Sequence, residues 1–489
     1  MARSSAWYLA LLFVLVVSIH LAIALSVPYF ADGDSFAAAA QIGYIGTTGV
    51  PQTTSELVLG KPHLITLPLF YYLVALLSLP FPGLVAYKIW SNIIAALIIP
   101  VIYLLAKELT GSDPIALITA GMAGLMPLAI ASSLTITSHA LALPLFFFCL
   151  YGFLRQGQYT AWFIGGLIAL SFTAPISELL GLTLVMYLLF ANVSGMRIRR
   201  REVEMTLFTL LYLIWLGFVV FKRVLLFHGT HLLWSSPISE PVNVLTAITA
   251  VGIVPFMLGV YMIRRYSFSL EQRHPVYLII SSVLACVVLL ALGLVQVQYG
   301  LLYLGVALTL LTGLFLQLLW AFLQRSRFSG HAGGIIALLL MMLVATSAPA
   351  AFAFTVSGKQ QSSVLVDEQA FAWVRQNTPQ DAIIVVPPSQ AAALMYLTGR
   401  RVVLASSFLF LRDGLQRNED VQDIYTTPYA TNAVYLLNRY GVTHILVTQR
   451  AQERYGVADL PYSGNCFRKT VLPGSIVYES HCRIKEGGQ

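Results

Sequence analysis

Apolar runs of roughly 17 to 25 residues, nearly empty of charge, follow one another through the first 355 positions of this chain. Coiled as helix at about 1.5 Å per residue, such a run spans about 30 Å of hydrocarbon. Lipid offers the backbone no hydrogen-bond partners, so a helical bundle is the fold such runs allow. Composition agrees, with 58% hydrophobic residues, 10% charged residues and a mean hydropathy of +0.78, far above a soluble domain. The runs lie near 7–27, 86–106, 114–134, 139–155, 161–174, 177–194, 204–224, 246–263, 275–294, 297–321 and 333–355, which predicts about 11 spans.

The net charge of +8 does not indicate nucleic-acid binding, because the basic residues gather where apolar runs end. With the N-terminus inside, the cytoplasmic turns hold Lys107, Arg155, Arg197 to Arg201, Arg264, Arg265, Arg273, Arg325 and Arg327. Lys222 and Arg223 are the exception, at an outer end. The run 7–27 is read as a retained span; the alternative is a signal peptide, against its length and its weakly basic start.

Residues 28–85 form a long first external segment. Asp32 and Asp34 stand at its start, where ionisable groups at a bilayer edge are costly and usually chemical. Asp34 is expected to cap a helix over 35–45 that Gly46 stops, a structural role compatible with a chemical one. Residues 64–79 are apolar but too short to span comfortably, and are read as an interfacial or re-entrant helix.

From residue 356 the runs shrink to strand length, as in Ala382–Val386 and Thr443–Val447, between helical stretches over 367–376 and 430–440. The expected architecture is therefore an α-helical polytopic membrane bundle over 1–355, followed by an extracytoplasmic α/β soluble domain over 356–489. Cys466 and Cys482 flank the hairpin signal Leu472–Ser475, and a turn centred on Gly474 places them directly opposite, within disulfide range. A disulfide implies an oxidising compartment; two free thiols are the alternative. Cys149 and Cys286 fall in spans, as core.

On the predicted outer face lie Asp32, Asp34, Lys61, His63, the stretch Thr135–His139, Lys222, Arg223, His228, His231 and Glu240. Transfer of a group from an anionic, membrane-held donor needs such a set: a carboxylate to take the acceptor's proton, and cations to neutralise phosphate oxygens. The structural alternatives are snorkelling to headgroups for Lys222 and Arg223, and a helix-end role for His139.

Several stretches, in order, resemble the GT-C superfamily of polyprenyl-phosphate-dependent glycosyltransferases, nearest to the catalytic subunit of oligosaccharyltransferases of archaeal or bacterial type. Asp34 falls where that family has its first catalytic Asp. Ile99–Leu109 with Ala120–Pro127 resembles its second and third spans, and Ser236–Glu240 an external-loop motif ending in a catalytic-site Glu. Trp373–Pro379 with Asp381 resembles the opening of its soluble domain, and Lys61–Pro62 is similar to the Lys-Pro of lipid-A aminoarabinose transferases, where the lysine lies near the lipid phosphate. Two departures stand out. The second acidic motif is replaced by Thr137–His139, and the Trp-Trp-Asp motif that reads the acceptor sequon by Val385–Gln390.

The resemblance implies a plasma-membrane enzyme that moves a sugar from a polyprenyl-phosphate donor to a glycan, lipid or protein acceptor. It assigns Asp34 as base, Asp32 or Glu240 as its orienting partner, and Lys61, His63, His139, Lys222 and Arg223 to the phosphate. It also implies a divalent cation, magnesium or manganese, on Asp34, Glu240 and His139. Oligosaccharide transfer to protein is the first alternative, and a non-catalytic glycan-binding or scaffold protein the second. A transporter is disfavoured because the charges lie at one face and not at mid-bilayer. No nucleotide-binding glycine loop or Cys/His cluster is present.

Overall fold

The computed structural model describes residues 2–64, 67–155, 157, 159–229, 243–267, 273–327, 329–464 and 466–482. Every expected apolar run falls on a helix or a bent helix pair. By length and composition, six helices can cross a membrane, or up to eight if each bent pair is one span. The expected eleven is not reached on that measure, because His139–Leu154, Thr160–Ser171 and Ser177–Val193 have only 16, 12 and 17 residues.

Two expected single spans are broken. The 114–134 run bends by 50° between Asp113–Gly124 and Pro127–Leu134, where Pro127 lacks the N–H that would continue the ladder. The 246–263 run bends by 99° between Val244–Val251 and Ile253–Ser267. Gly252 makes that corner at φ +99°, and a Cβ there would lie 2.9 Å from Ser347 Oγ. The short run before residue 80 forms Leu69–Ser78, ten residues whose first N–H donates to the Phe172 carbonyl at 3.0 Å.

Polar contacts mark the two ends of the bundle. At one end Lys107 pairs with Asp113 and Arg155 with Glu108, each at 2.7 Å, and Tyr187 meets His274 Nδ1 at 2.7 Å. Arg199, Arg200, Arg264, Arg265, Arg273 and Arg325 flank helix ends on this side. At the other end the Ala31 N–H donates to the Leu134 carbonyl at 3.2 Å, and the Ile136 N–H to Ser35 Oγ at 2.7 Å. His228 Nε2, on the last turn of Arg200–His228, donates to the Leu409 carbonyl at 2.9 Å. The C-terminal region therefore sits on the end opposite the arginines.

That region is α/β. Strands β1 (Ile383–Val385), β2 (Arg401–Val402), β3 (His444–Val447), β4 (Phe467–Leu472) and β5 (Ser475–Ser480) form one sheet in the order β2-β1-β3-β5-β4. β1 pairs in parallel with β2 and β3, and β5 runs antiparallel to β3 and β4. Cys466 and Cys482 are bonded, with Cα atoms 5.0 Å apart. The register differs by one residue from expectation: Leu472 pairs with Ser475, so the turn is Pro473–Gly474 and its centre lies between them. Cys466 then faces His481, whose N–H donates to its carbonyl at 2.9 Å, and the bridge reaches one residue further. Cys149 and Cys286 are buried and free, as expected.

Two hydrophobic cores result. One lies within the bundle, around Ile102, Phe146, Leu180 and Leu310. The other joins Phe30, Phe36, Val58 and Phe70 of the first external segment to Ile384, Val402, Ile445 and Tyr478 of the sheet region. The segment bearing the two acids is thus packed into the C-terminal region.

Candidate active site

The helix expected over 35–45 runs from Gly33 to Thr48, and its cap differs from expectation. Asp32, extended at φ −135° and ψ 159°, is the N-cap, and its Oδ1 accepts the Ser35 N–H at 2.9 Å. Asp34 lies in the first turn, where the helix dipole favours a negative charge. The helix passes Gly46 and ends at Gly49, which takes φ +76° and donates its N–H to Ile45. With the cap assigned to Asp32, the Asp34 carboxylate is left for other partners.

Groups from three separate elements approach it. Ser406, in the loop after β2, donates its hydroxyl to Asp34 Oδ1 at 3.3 Å. Tyr71, on Leu69–Ser78, is pushed up to about 12 by burial and by the Asp34 charge, so its hydroxyl stays protonated. Tyr299, at the start of Val297–Gln324, lies within electrostatic range of both Asp32 and Asp34 and lines a cavity together with Thr137. Burial raises Asp32 to about 6; the Ser35 bonds oppose that rise and the Asp34 charge adds to it. Asp34 is also raised by burial, against the Ser406 bond, although its side chain stays open to solvent at the mouth of the site.

The C-terminal region presses directly on this turn. A Cβ on Gly33 would lie 2.2 Å from the Ser389 carbonyl oxygen, so only glycine fits between the two acids. Phe36 packs on Tyr396 with ring centroids 5.9 Å apart. Ser389 belongs to the Val385–Gln390 stretch that stands in place of the sequon-reading motif. None of Tyr71, Tyr299, Ser389 and Ser406 was singled out from sequence, because each reaches the site only through tertiary contact.

The remaining expected residues divide. His139 stacks on Tyr299 at 3.8 Å between centroids, with Nδ1 3.5 Å from the Tyr303 hydroxyl. It thereby adjoins the acids through Tyr299, and with His20, Asn92 and Thr137 it lines a cavity of ≈ 40 Å³. Lys61, at φ +48°, is exposed and ion-paired to Glu56. His63 pairs with Thr54 in a short bridge beside it, and Leu59 donates to the Val402 carbonyl at 2.9 Å, docking this loop on the sheet edge. Lys222 and Arg223 are exposed on the last turns of Arg200–His228. Lys222 lies about two and a half turns beyond the buried Leu213, which puts it on the opposite side of the helix from the bundle. No contact among the described residues joins Lys61, His63, Lys222 or Arg223 to Asp34. Glu240 and His231 lie outside the described residues.

Among the described residues no three His, Cys, Asp or Glu side chains gather as a metal site. Asp32 Oδ1 is taken by the cap, and His139 is turned into the Tyr299–Tyr303 pair. The described donors therefore do not fit a divalent ion shared by Asp34 and His139.

No family model matches the chain, and no curated protein matches it. Solved structures do. An oligosaccharyltransferase of Archaeoglobus fulgidus, tethered to an acceptor peptide containing an NVT sequon, superposes with a TM-score of 0.69 at 13% identity, over 97% of this chain and 74% of that one. AglB of the same organism, in complex with an inhibitory peptide and a dolichol-phosphate, gives 0.68 at 12% identity, over 97% and 74%. ArnT of Cupriavidus metallidurans, bound to undecaprenyl phosphate, gives 0.57 at 12% identity, over 97% and 98%. The A. fulgidus oligosaccharyltransferase has also been solved with zinc and sulfate. The neighbours are GT-C glycosyltransferases, and the likeness covers both the helical bundle and the C-terminal region; at this identity it concerns the fold.

Proposed function

We propose that this protein is a membrane glycosyltransferase that moves a sugar from a polyprenyl-phosphate-linked donor to a hydroxyl of a glycan, lipid or protein acceptor. The observation that carries the reading is the Asp34 carboxylate, relieved of capping by Asp32 and open to solvent where the C-terminal region meets the bundle. Asp34 takes the proton of the acceptor hydroxyl. The acceptor oxygen bonds to the anomeric carbon while the carbon–phosphate oxygen bond breaks, and the polyprenyl phosphate leaves with the electron pair. Direct attack inverts the anomeric centre. The Ser406 hydroxyl holds the carboxylate for this step, with the protonated Tyr71 within range of its charge. Lys61, Lys222 and Arg223 are the cations assigned to the donor phosphate, with His63 and His139 at lower reach, and Glu240 is retained as a candidate partner of Asp34.

The arginine-rich end of the bundle supports a cytoplasmic assignment by the positive-inside rule. On that assignment the site, the cystine and the whole 356–489 region lie outside the cell membrane, a reading that the bonded Cys466–Cys482 pair supports because disulfides persist in oxidising compartments. A bundle of eleven spans belongs to the same reading, with the three short helices crossing beside thinned or tilted neighbours. The second reading, transfer of a lipid-linked oligosaccharide to protein, draws on the higher TM-score to the oligosaccharyltransferase.

The test is sugar transfer by purified protein in proteoliposomes. Polyprenyl-monophosphate sugars and polyprenyl-diphosphate oligosaccharides are offered in turn, each with and without chelator. Transfer from a monophosphate donor, lost at least 10²-fold in Asp34→Asn, is the expected result. Transfer only from a diphosphate oligosaccharide to peptide would favour the second reading. Full activity in Asp34→Asn would refute the role given to that carboxylate.

A further inference from the structure

Lys88 is buried at 2% exposure near the start of Leu84–Ala95, and no carboxylate among the described residues pairs with it. Its ammonium donates instead to three backbone carbonyls, those of Ala24 at 3.1 Å, Val27 at 2.6 Å and Tyr29 at 3.1 Å. The Phe30 ring lies 5.3 Å from the same nitrogen. An ammonium has three N–H bonds, and all three are used. None is left for a donor phosphate, and burial keeps the head from snorkelling to water.

The three carbonyls belong to one stretch of chain. Ala24 ends the first helix, whose last carbonyls have no partner within the helix and carry its negative dipole end. Val27 and Tyr29 lie in the link that runs from there to Asp32. One turn beyond Lys88, Asn92 Nδ2 donates to the Lys88 carbonyl at 2.9 Å and to the Ser133 carbonyl at 3.2 Å. The residues after Ser133 hold the acidic turn from its other side, through Leu134 to Ala31 and Ile136 to Ser35. One helix thus anchors both chains between which Asp32 and Asp34 are set.

We propose that Lys88 is a positioning residue: its carbonyl-bound ammonium fixes the 24–30 link and so sets where the two carboxylates stand. A buried cation without an anion is a poor source of stability, and an apolar side chain of the same volume would be cheaper to bury. An apolar side chain would leave three carbonyls without donors in the link that leads to the site. The lysine is therefore explained by what it holds. The catalytic part of the proposal rests on Asp34 acting as base.

The experiment compares hydrogen exchange in the full-length protein with Lys88→Met and Lys88→Arg, alongside sugar transfer from the polyprenyl-phosphate donor. In Lys88→Met the Ala31 and Ser35 amides should exchange at least tenfold faster, while amides of Ile98–Thr110 keep their wild-type rates. Lys88→Arg should stay within threefold of wild type, because a guanidinium also donates to several carbonyls at once. Transfer by Lys88→Met should show kcat reduced about tenfold, with donor KM unchanged. Should the Met variant not fold, Lys88→Gln, with two donors, should exchange at an intermediate rate. Unchanged exchange at Ala31 and Ser35 would overturn the proposal, as would acceleration spread evenly over the chain. Local acceleration with no transfer by the wild type would leave Lys88 as the anchor of the turn and count against the transferase reading itself.

Discussion

The contact between Gly33 and Ser389 makes a quantitative prediction, because it places backbone against backbone beside the proposed base. In Gly33→Ala the new Cβ would begin 2.2 Å from the Ser389 carbonyl oxygen, whereas ordinary contact starts near 3.4 Å. The C-terminal region must therefore retreat by about 1.2 Å, or the acidic turn must shift by as much. The oxygen is part of the main chain at the start of Pro388–Thr398, so no side-chain rotation relieves the clash. Overpacking of this kind costs roughly 1–3 kcal/mol. Its effect on rate is larger, since a displacement of about 1 Å among reacting groups costs about 10²-fold. Gly46→Ala is the matched control on the same helix: its Cβ meets nothing within 4 Å, and replacing a helical glycine gains roughly 0.5–1 kcal/mol. The assay is initial transfer rate in proteoliposomes together with thermal unfolding of both variants. Gly33→Ala should lose about two decades of rate and some stability, while Gly46→Ala matches or exceeds wild-type stability. A Gly33→Ala protein with wild-type stability and a rate within threefold of wild type would refute the idea that this contact sets the site.

Other expected outcomes follow from the acids and the cystine. The folded-state pKa of Asp32, about 6, lies above its ordinary value, so its contribution to stability is complete below about pH 4 and is lost as pH rises through 6. Asp32→Asn keeps a capping side chain without the charge, and should raise the melting temperature relative to wild type at pH 7 but not at pH 4; an equal shift at both would contradict the assignment. Opening the Cys466–Cys482 bridge, which closes a separation of 16 residues, should cost about 3 kcal/mol. Denaturation of Cys466→Ser measures that loss, and an unchanged midpoint would remove the cystine from the stability of the sheet.

Much of the bundle was legible because a bilayer imposes its thickness on sequence. The runs, the terminal α/β region and the partnership of Cys466 with Cys482 were all visible as local pattern. The 99° bend was not, although Gly252 lies inside that run, because the corner is fixed by packing against Ser347. The cystine register slipped by one because Pro473–Gly474 forms a two-residue turn, which shifts the centre of the hairpin by half a residue. Lys88 is marked in the sequence as the only charged residue between Lys61 and Lys107, placed where an apolar run begins, but its three carbonyl partners are set by tertiary contact. Tyr71, Tyr299, Ser389 and Ser406 carried no such sign, since nothing in their own neighbourhoods marks their approach to Asp34.

The division of labour between the two acids follows from where the helix begins. Sequence reading set the cap at Asp34, which would have engaged its oxygen with the helix and left Asp32 as the unencumbered acid. Ser35 decides otherwise. Its hydroxyl accepts the Ile136 N–H while its own N–H goes to Asp32, so Gly33 and Asp34 are drawn into the first turn. The helix start is thereby tied to the 133–136 stretch, and through Asn92 to the helix that bears Lys88. A long-range hydrogen bond, not the local preference of either aspartate, selects which carboxylate is free. The same bonds that hold the cap keep the free carboxylate beside Ser406, so the order of the turn and its chemistry have one origin.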